Sequence, residues 1–214
     1  MSIFHQRRLD YDRIIDLLPP SASVLDLGCA RGTLLSLLKQ RGHDRVMGVE
    51  LEEAAVVACV QRGLDVIQAD LNQGLHQFKN RQFDFVLLSQ TLQTVLDVEG
   101  IVDDMLRVGR RCIVSFPNFA YRRLRKMLAA DGRAPEAPGL LRFKWYNSPN
   151  TRFLSIVDFR EFCQEKGIRV HRCVALDTES GRDVQESNDP NLNADLAIFV
   201  ISRQEADAGR GKNG

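Results

Sequence analysis

Val24-Leu-Asp-Leu-Gly-Cys-Ala-Arg-Gly-Thr33 is a short apolar run that ends in Gly28 and passes, five residues later, into the helical pattern Thr33 to Lys39. A glycine directly after a buried strand lets the chain turn tightly, and the helix that follows presents unpaired backbone N–H groups to a ligand. A nucleotide-like ligand is the usual occupant of such a turn. Outward from it the same rhythm continues. Val46 to Val49 is the next strand, ending at Glu50, and Glu52 to Arg62 reads as a helix with acids in its first turn and Gly63 after its end. Val66 to Gln68, Phe83 to Leu88 and Cys112 to Phe116 are further strands, with Ile101 to Val108 part of a helix. Short apolar strands alternating with helices of about ten residues predict right-handed βαβ units. The expected fold is α/β, a Rossmann-like, doubly wound and mostly parallel sheet.

Ahead of this unit, Leu9 to Leu18 predicts a short amphipathic helix stopped by Pro19 and Pro20. After Phe116 the rhythm changes. Phe119 to Ala130 predicts a basic helix, 131–150 a loop rich in Pro, Gly and aromatics, and Ile156 to Lys166 another helix. Ile168 to Leu176 and Leu196 to Ser202 are joined by a polar stretch too short for a crossover helix, so they are expected as a C-terminal antiparallel strand pair. The organisation expected is one domain over 1–203, with an N-terminal helix in 1–20, a lid or partner loop at 131–150 and a flexible tail at 204–214.

Composition excludes several functions. The 214 residues carry 29 Lys plus Arg against 28 Asp plus Glu, a net charge of +1 that fits neither a cationic nucleic-acid coat nor an acidic tail protein. Five cysteines, with no CxxC pair, argue against disulfides and structural zinc and for a reducing cytoplasm. Four scattered histidines make no metal-ligand spacing. The longest apolar run, Ala54 to Val60, has seven residues, against the roughly twenty that a membrane span needs. The N-terminus has no apolar segment of a signal peptide.

A dinucleotide fingerprint needs glycines where this chain has Gly28, Ala30 and Thr33, so that reading fails at two of three positions. An acid two residues before the first glycine, with glycines alternating as DxGxGxG, is similar to the class I S-adenosylmethionine-dependent methyltransferases. Asp26, Gly28 and Gly32 match that pattern and Ala30 departs from it. Glu50 lies 22 residues past Gly28 at a strand end, where a carboxylate accepts from ribose hydroxyls. The resemblance implies that Asp70 faces the adenine amino group and that Asp26 orients the methionine end. The cofactor set it implies is Asp26, Gly28, Cys29, Ala30, Gly32, Glu50, Leu51, Asp70, Leu71 and Ser89, around S-adenosylmethionine or S-adenosylhomocysteine. Strand-end acids also serve as turn formers, and that reading stays open for Asp26, Glu50 and Asp70. Ala30 adds a methyl that a positive φ would strain. Arg31 either repels a sulfonium or recognises the ligand's carboxylate.

No catalytic base is identifiable, and methyl transfer needs none in principle, since in-line positioning supplies much of its acceleration. The loop Ser89-Gln90-Thr91-Leu92-Gln93 lacks the Asn-Pro-Pro-Tyr arrangement that positions the amino groups of bases or glutamine. Ser89 and Gln90 either line the pocket or merely end a strand. The cysteines read as inert core thiols. Arg107 to Lys126 carries seven basic residues and no acid. A solvated helix face accounts for that stretch better than a nucleic-acid surface. Phe143, Trp145 and Tyr146 either cover the cleft, dock a partner or pin the loop to the core.

Val24-Leu-Asp-Leu-Gly-Cys29, Val66-Ile-Gln-Ala-Asp-Leu71, Leu88-Ser-Gln-Thr-Leu-Gln93, Val114-Ser-Phe-Pro-Asn-Phe119 and Trp145-Tyr-Asn-Ser-Pro-Asn150 together resemble the bacterial methionine biosynthesis protein MetW family, in the same order from about residue 9 to 202. The family usually has Gly-Cys-Gly-Asp-Gly where this chain has Gly28-Cys-Ala-Arg-Gly32. The resemblance implies a methyltransferase-like fold and an association with methionine biosynthesis as a companion subunit of homoserine O-acyltransferase. Two functions follow as expectations. One is a methyltransferase acting on a small molecule; the other is a regulatory subunit that retains the nucleotide pocket.

Overall fold

A computed structural model of the protein describes residues 8–136 and 142–204. The tail expected at 204–214 lies outside the described residues beyond Gln204, as does part of the loop expected at 131–150. In chain order the elements are α1 (Leu9–Asp16), β1 (Val24–Leu27), α2 (Thr33–Gln40), β2 (Val46–Glu50), α3 (Glu53–Gln61), β3 (Asp65–Gln68), β4 (Phe83–Ser89), α4 (Val98–Val108) and β5 (Gly109–Pro117). There follow α5 (Arg122–Asp131), α6 (Ile156–Glu165), β6 (Ile168–Asp177), β7 (Arg182–Asp183), α7 (Pro190–Asn193) and β8 (Leu196–Arg203). All eight strands share one sheet in the order β3-β2-β1-β4-β5-β8-β6-β7. The first five are parallel, and β8 and β6 run antiparallel to their neighbours.

Alternation along the central strands explains the three layers. Leu25 and Leu27 of β1 point to one face and pack with Val86, Leu88, Val114 and the α4 and α6 side chains Met105 and Phe159. Val24 points to the other face and packs with Phe85, Leu87, Leu35 of α2 and Ile14 of α1. Both faces of the parallel strands are covered, which is why these strands read as continuous apolar runs. Under β5 and β8, Phe116, Phe159 and Phe199 form a ring cluster with centroids 4.9–5.8 Å apart, the geometry aromatic pairs favour.

The polar stretch between β6 and β8 is more structured than its composition suggests. It holds β7, a single turn of 3-10 helix and α7, which Asp189 caps by accepting from the Leu192 amide, with Pro190 in the first turn. The two-residue β7 pairs only with Leu176 and Asp177, at the end of β6, and the β6–β8 register slips between Val170 and Arg172. Capping is visible at α6 too, where Ser155 and Asp158 exchange hydrogen bonds in a capping box. Among the described residues no helix is long and apolar enough to cross a membrane.

Candidate functional site

In an open α/β sheet, ligands bind outside the carboxyl ends of the strands where the strand order reverses. Here the chain passes from β1 outward through β2 to β3 and then returns to the other side of β1 as β4, so the reversal lies between β1 and β4. At that point the quoted turn leaves β1. The Gly28 and Cys29 amides donate to the Val49 carbonyl at 2.8 and 3.1 Å, which fastens the turn to β2. Gly28 has φ +69° and a Cβ there would come within 2.9 Å of Thr91 Oγ1. Gly32 has φ +72°, and a Cβ would meet Leu64 Cδ1 at 2.4 Å and Cys59 Sγ at 2.9 Å. The first glycine therefore keeps the turn close to the β4 end, and the second seats α2 on the α3 side. Gly32→Ala is expected to cost about 2 kcal/mol from strain plus overpacking. Gly42→Ala, at φ +87° with open space around it, should cost only the backbone part, about 1 kcal/mol. Urea denaturation of the two variants separates these contributions, and equal losses would refute the packing assignment.

Ala30 takes φ +49°, so the residue that replaces the middle glycine of the pattern is held in the left-handed region. What holds it is Glu50: its Oε2 accepts from the Ala30 amide at 2.8 Å. Its Oε1 accepts from the Leu51 and Glu52 amides at 2.8 and 3.0 Å. The carboxylate thus ties the two turns together. It keeps lone-pair capacity for further donors, since an ionised carboxylate offers about four acceptor positions. Leu51 is exposed beside it, and Ala30 and Arg31 are exposed as well. The Arg31 carbonyl accepts from Arg62 at 2.7 Å.

Asp26 lies in the middle of β1, paired with β2 and β4, is 3% exposed, and its carboxyl accepts no hydrogen bond among the described residues. Burial pushes its carboxyl up to about 7, Arg8 draws it down, and Glu50 and Asp10 push it up again. Burial likewise raises the Cys29 thiol, with Asp26 adding to the shift, and Cys59 and Cys112 are raised by burial too. These are inert thiols rather than nucleophiles.

Asp70 and Leu71 stand one strand further out. Backbone pairing of Glu50 with Gln68, continued by the Ala69 amide on the Glu50 carbonyl at 3.0 Å, sets Asp70 beside the β2 end. Its carboxylate is engaged by the Asn72 amide and side chain at 2.9 and 3.0 Å, which caps a 3-10 turn. Leu71 packs half-buried against the core.

Ser89, the last residue of β4, is occupied by a cluster built largely from α1. Asp10 is 2% exposed and pairs through both oxygens with the Arg8 guanidinium. It also accepts from Ser89 Oγ at 3.2 Å and from Gln90 Nε2 at 2.8 Å. Arg8 in turn donates to Ser89 Oγ at 2.8 Å and to the Tyr11 hydroxyl at 2.9 Å. Gln90 is another left-handed residue, at φ +52°, fixed by the Ser115 carbonyl at 2.8 Å. Arg8 and Asp10 are the site residues that motif reading does not identify. The available signal is that Asp10 stands four residues before Ile14 on the buried side of α1, where a charge requires a partner. Among the described residues no group of three or more His, Cys, Asp or Glu could hold a metal ion.

Solved structures share this architecture. An S-adenosylmethionine dependent methyltransferase from Mesorhizobium loti superposes with a TM-score of 0.68 at 17% identity, covering 92% of this chain and 99% of that one. A SAM dependent methyltransferase from Archaeoglobus fulgidus gives 0.63 at 15% identity, covering 91% of each. The fold is thus that of the class I S-adenosylmethionine-dependent methyltransferases. Residues 8–201 match the family model for methionine biosynthesis protein MetW. The bifunctional methionine biosynthesis protein MetXA/MetW of Rhodopirellula baltica is 43% identical over 204 residues, 92% of this chain and 33% of that protein. The chain belongs to the MetW family. It spans about a third of the length of the curated relative that it matches.

Proposed function

We propose that this protein is a companion subunit in methionine biosynthesis that supports a homoserine O-acyltransferase and carries a pocket for S-adenosylmethionine or S-adenosylhomocysteine. The observation that carries this reading is the relative in which a MetW-like part and a MetXA part form one polypeptide. Parts fused in one protein work at high effective concentration, an advantage where they touch. The unpaired state of all five cysteines is in keeping with a cytoplasmic biosynthetic complex.

The residues fit an adenosyl ligand. The Asp26 carboxyl is buried and accepts no side-chain hydrogen bond among the described residues, and a cationic ammonium is a donor suited to such a group. The Gly28–Gly32 turn lies at the strand-order reversal with Ala30 and Arg31 exposed, and Glu50, held by three amides, keeps acceptor capacity for ribose hydroxyls. Asp70 lies beside it for the adenine edge, and Cys29, Ala30, Leu51 and Leu71 complete the wall. S-adenosylmethionine, when bound, carries a transferable methyl group. The alternative, a methyltransferase acting on a small molecule, draws support from this retained pocket. Against it stands the Arg8–Asp10–Ser89–Gln90 cluster, in which Ser89 and Gln90 at the β4 end are already engaged by Arg8 and Asp10.

Co-expression with the homoserine O-acyltransferase of the same genome, followed by size exclusion and acyl-transfer assay, tests the companion role. One co-eluting peak with raised acyltransferase activity is expected. Two separate peaks with unchanged activity would overturn it.

A further inference from the structure

We propose that the face formed by α5 and residues 142–146 is the surface on which the acyltransferase docks, through an acidic patch surrounding an apolar socket for Trp145. The inference rests on the companion reading and adds the place and chemistry of contact. Three independent observations lead to it.

The first is how little holds α5. Of its ten residues only Leu124 is buried, in a small satellite cluster with Tyr121 and Phe119. A short helix draws its stability from packing an apolar face, and this one has almost none to pack within its own chain. Leu128, on the same helix, is 59% exposed.

The second is charge. Residues 122–146 contain seven Lys and Arg against two Asp and Glu, in a chain whose total is only +1. Part of the basic stretch is consumed internally. Arg122 and Arg125 reach back to Asn193 and Asn191. Arg123, Lys126 and Arg133 are exposed and have no partner among the described residues. A concentration of cations that the chain does not neutralise itself is matched by an acidic surface.

The third is the aromatic content. Trp145 is 80% exposed and Tyr146 64%, and their rings meet edge to face at 5.6 Å. They line a cleft of about 690 Å³ with Met127 of α5, Arg133, Glu136 and Arg142. Exposed tryptophan and tyrosine among arginines is the composition of an interface centre. The link to an acyltransferase, rather than to another acidic protein, comes from the fused relative.

The test measures the affinity of the purified acyltransferase for wild type and three variants, with thermal unfolding to verify each fold. Trp145→Ala is expected to weaken binding by about 30-fold or more, the loss typical of a central aromatic. Arg123→Glu with Lys126→Glu should weaken it by about tenfold or more and flatten its decline between about 0.05 and 0.5 M salt. Arg169→Glu on β6, exposed and outside this face, should leave binding unchanged. Wild-type binding that all the variants retain would overturn this surface and leave the companion reading standing. A wild type that does not bind would overturn both. Loss of wild-type binding to a single-stranded RNA in Trp145→Ala, with acyltransferase binding intact, would reassign the face to nucleic acid.

Discussion

Asp26→Asn should abolish a loss of stability that the wild-type chain suffers as pH rises from about 4 to about 7. In the unfolded chain this carboxyl ionises near its ordinary value of 3.8, whereas the folded chain holds the proton up to about 7. Between those values the folded state binds more protons than the unfolded one, so unfolding becomes easier with increasing pH, and the decline levels off above about 7. A buried carboxyl held about three pH units high corresponds to at most roughly 4 kcal/mol. Asparagine, similar in shape, has no proton to lose. Subtracting the variant's urea-unfolding free energy from that of wild type at each pH cancels the contribution of Asp84, which its hydrogen bonds from Ser23 hold low. A difference that falls between about pH 4 and 7 is expected. Parallel curves would mean that Asp26 is ionised in the native protein at all these pH values.

Glu50→Ala is expected to weaken S-adenosylhomocysteine binding by about 100-fold in calorimetry, the loss of two charge-assisted hydrogen bonds at about 1.5 kcal/mol each. Part of that loss comes from the protein itself. Without the carboxylate the amides of Ala30, Leu51 and Glu52 lose their acceptor, and nothing then fixes the turn that Ala30 enters at φ +49°. Thermal unfolding of the variant distinguishes collapse of the turn from loss of a ligand contact. Wild-type protein that gives no heat at about millimolar ligand would remove the pocket assignment altogether, because affinities weaker than that amount to less than about 4 kcal/mol.

The fold could be read in advance because its signals are local. Each parallel strand is a short apolar run, each helix has a recognisable stop, and Gly28 and Glu50 fall at strand ends that register alone determines. The same locality hid Arg8 and Asp10. Their partners Ser89 and Gln90 lie 79 to 81 residues away, and only the packing of α1 against the sheet brings them together. The segment between β6 and β8 shows a different limit. Its strand is two residues long and its helix four, too short for any periodicity, although Asp189 followed by Pro190 was a helix-start signal available to composition alone. Ala30 illustrates a third. Whether the extra methyl is harmless depends on the sign of φ, a property of the folded turn, and the turn proves to be left-handed.

The short β7 leaves most of β6 as an open sheet edge, with the N–H and C=O groups of one strand facing outward. An edge of that kind recruits strands from neighbouring molecules unless something blunts it. Here Arg169 and Arg172 are exposed on the strand, and the register slip between Val170 and Arg172 interrupts the regular ladder. Two like charges and an interrupted ladder make a poor template. The charges and the register slip thus blunt this border of the sheet within β6 itself.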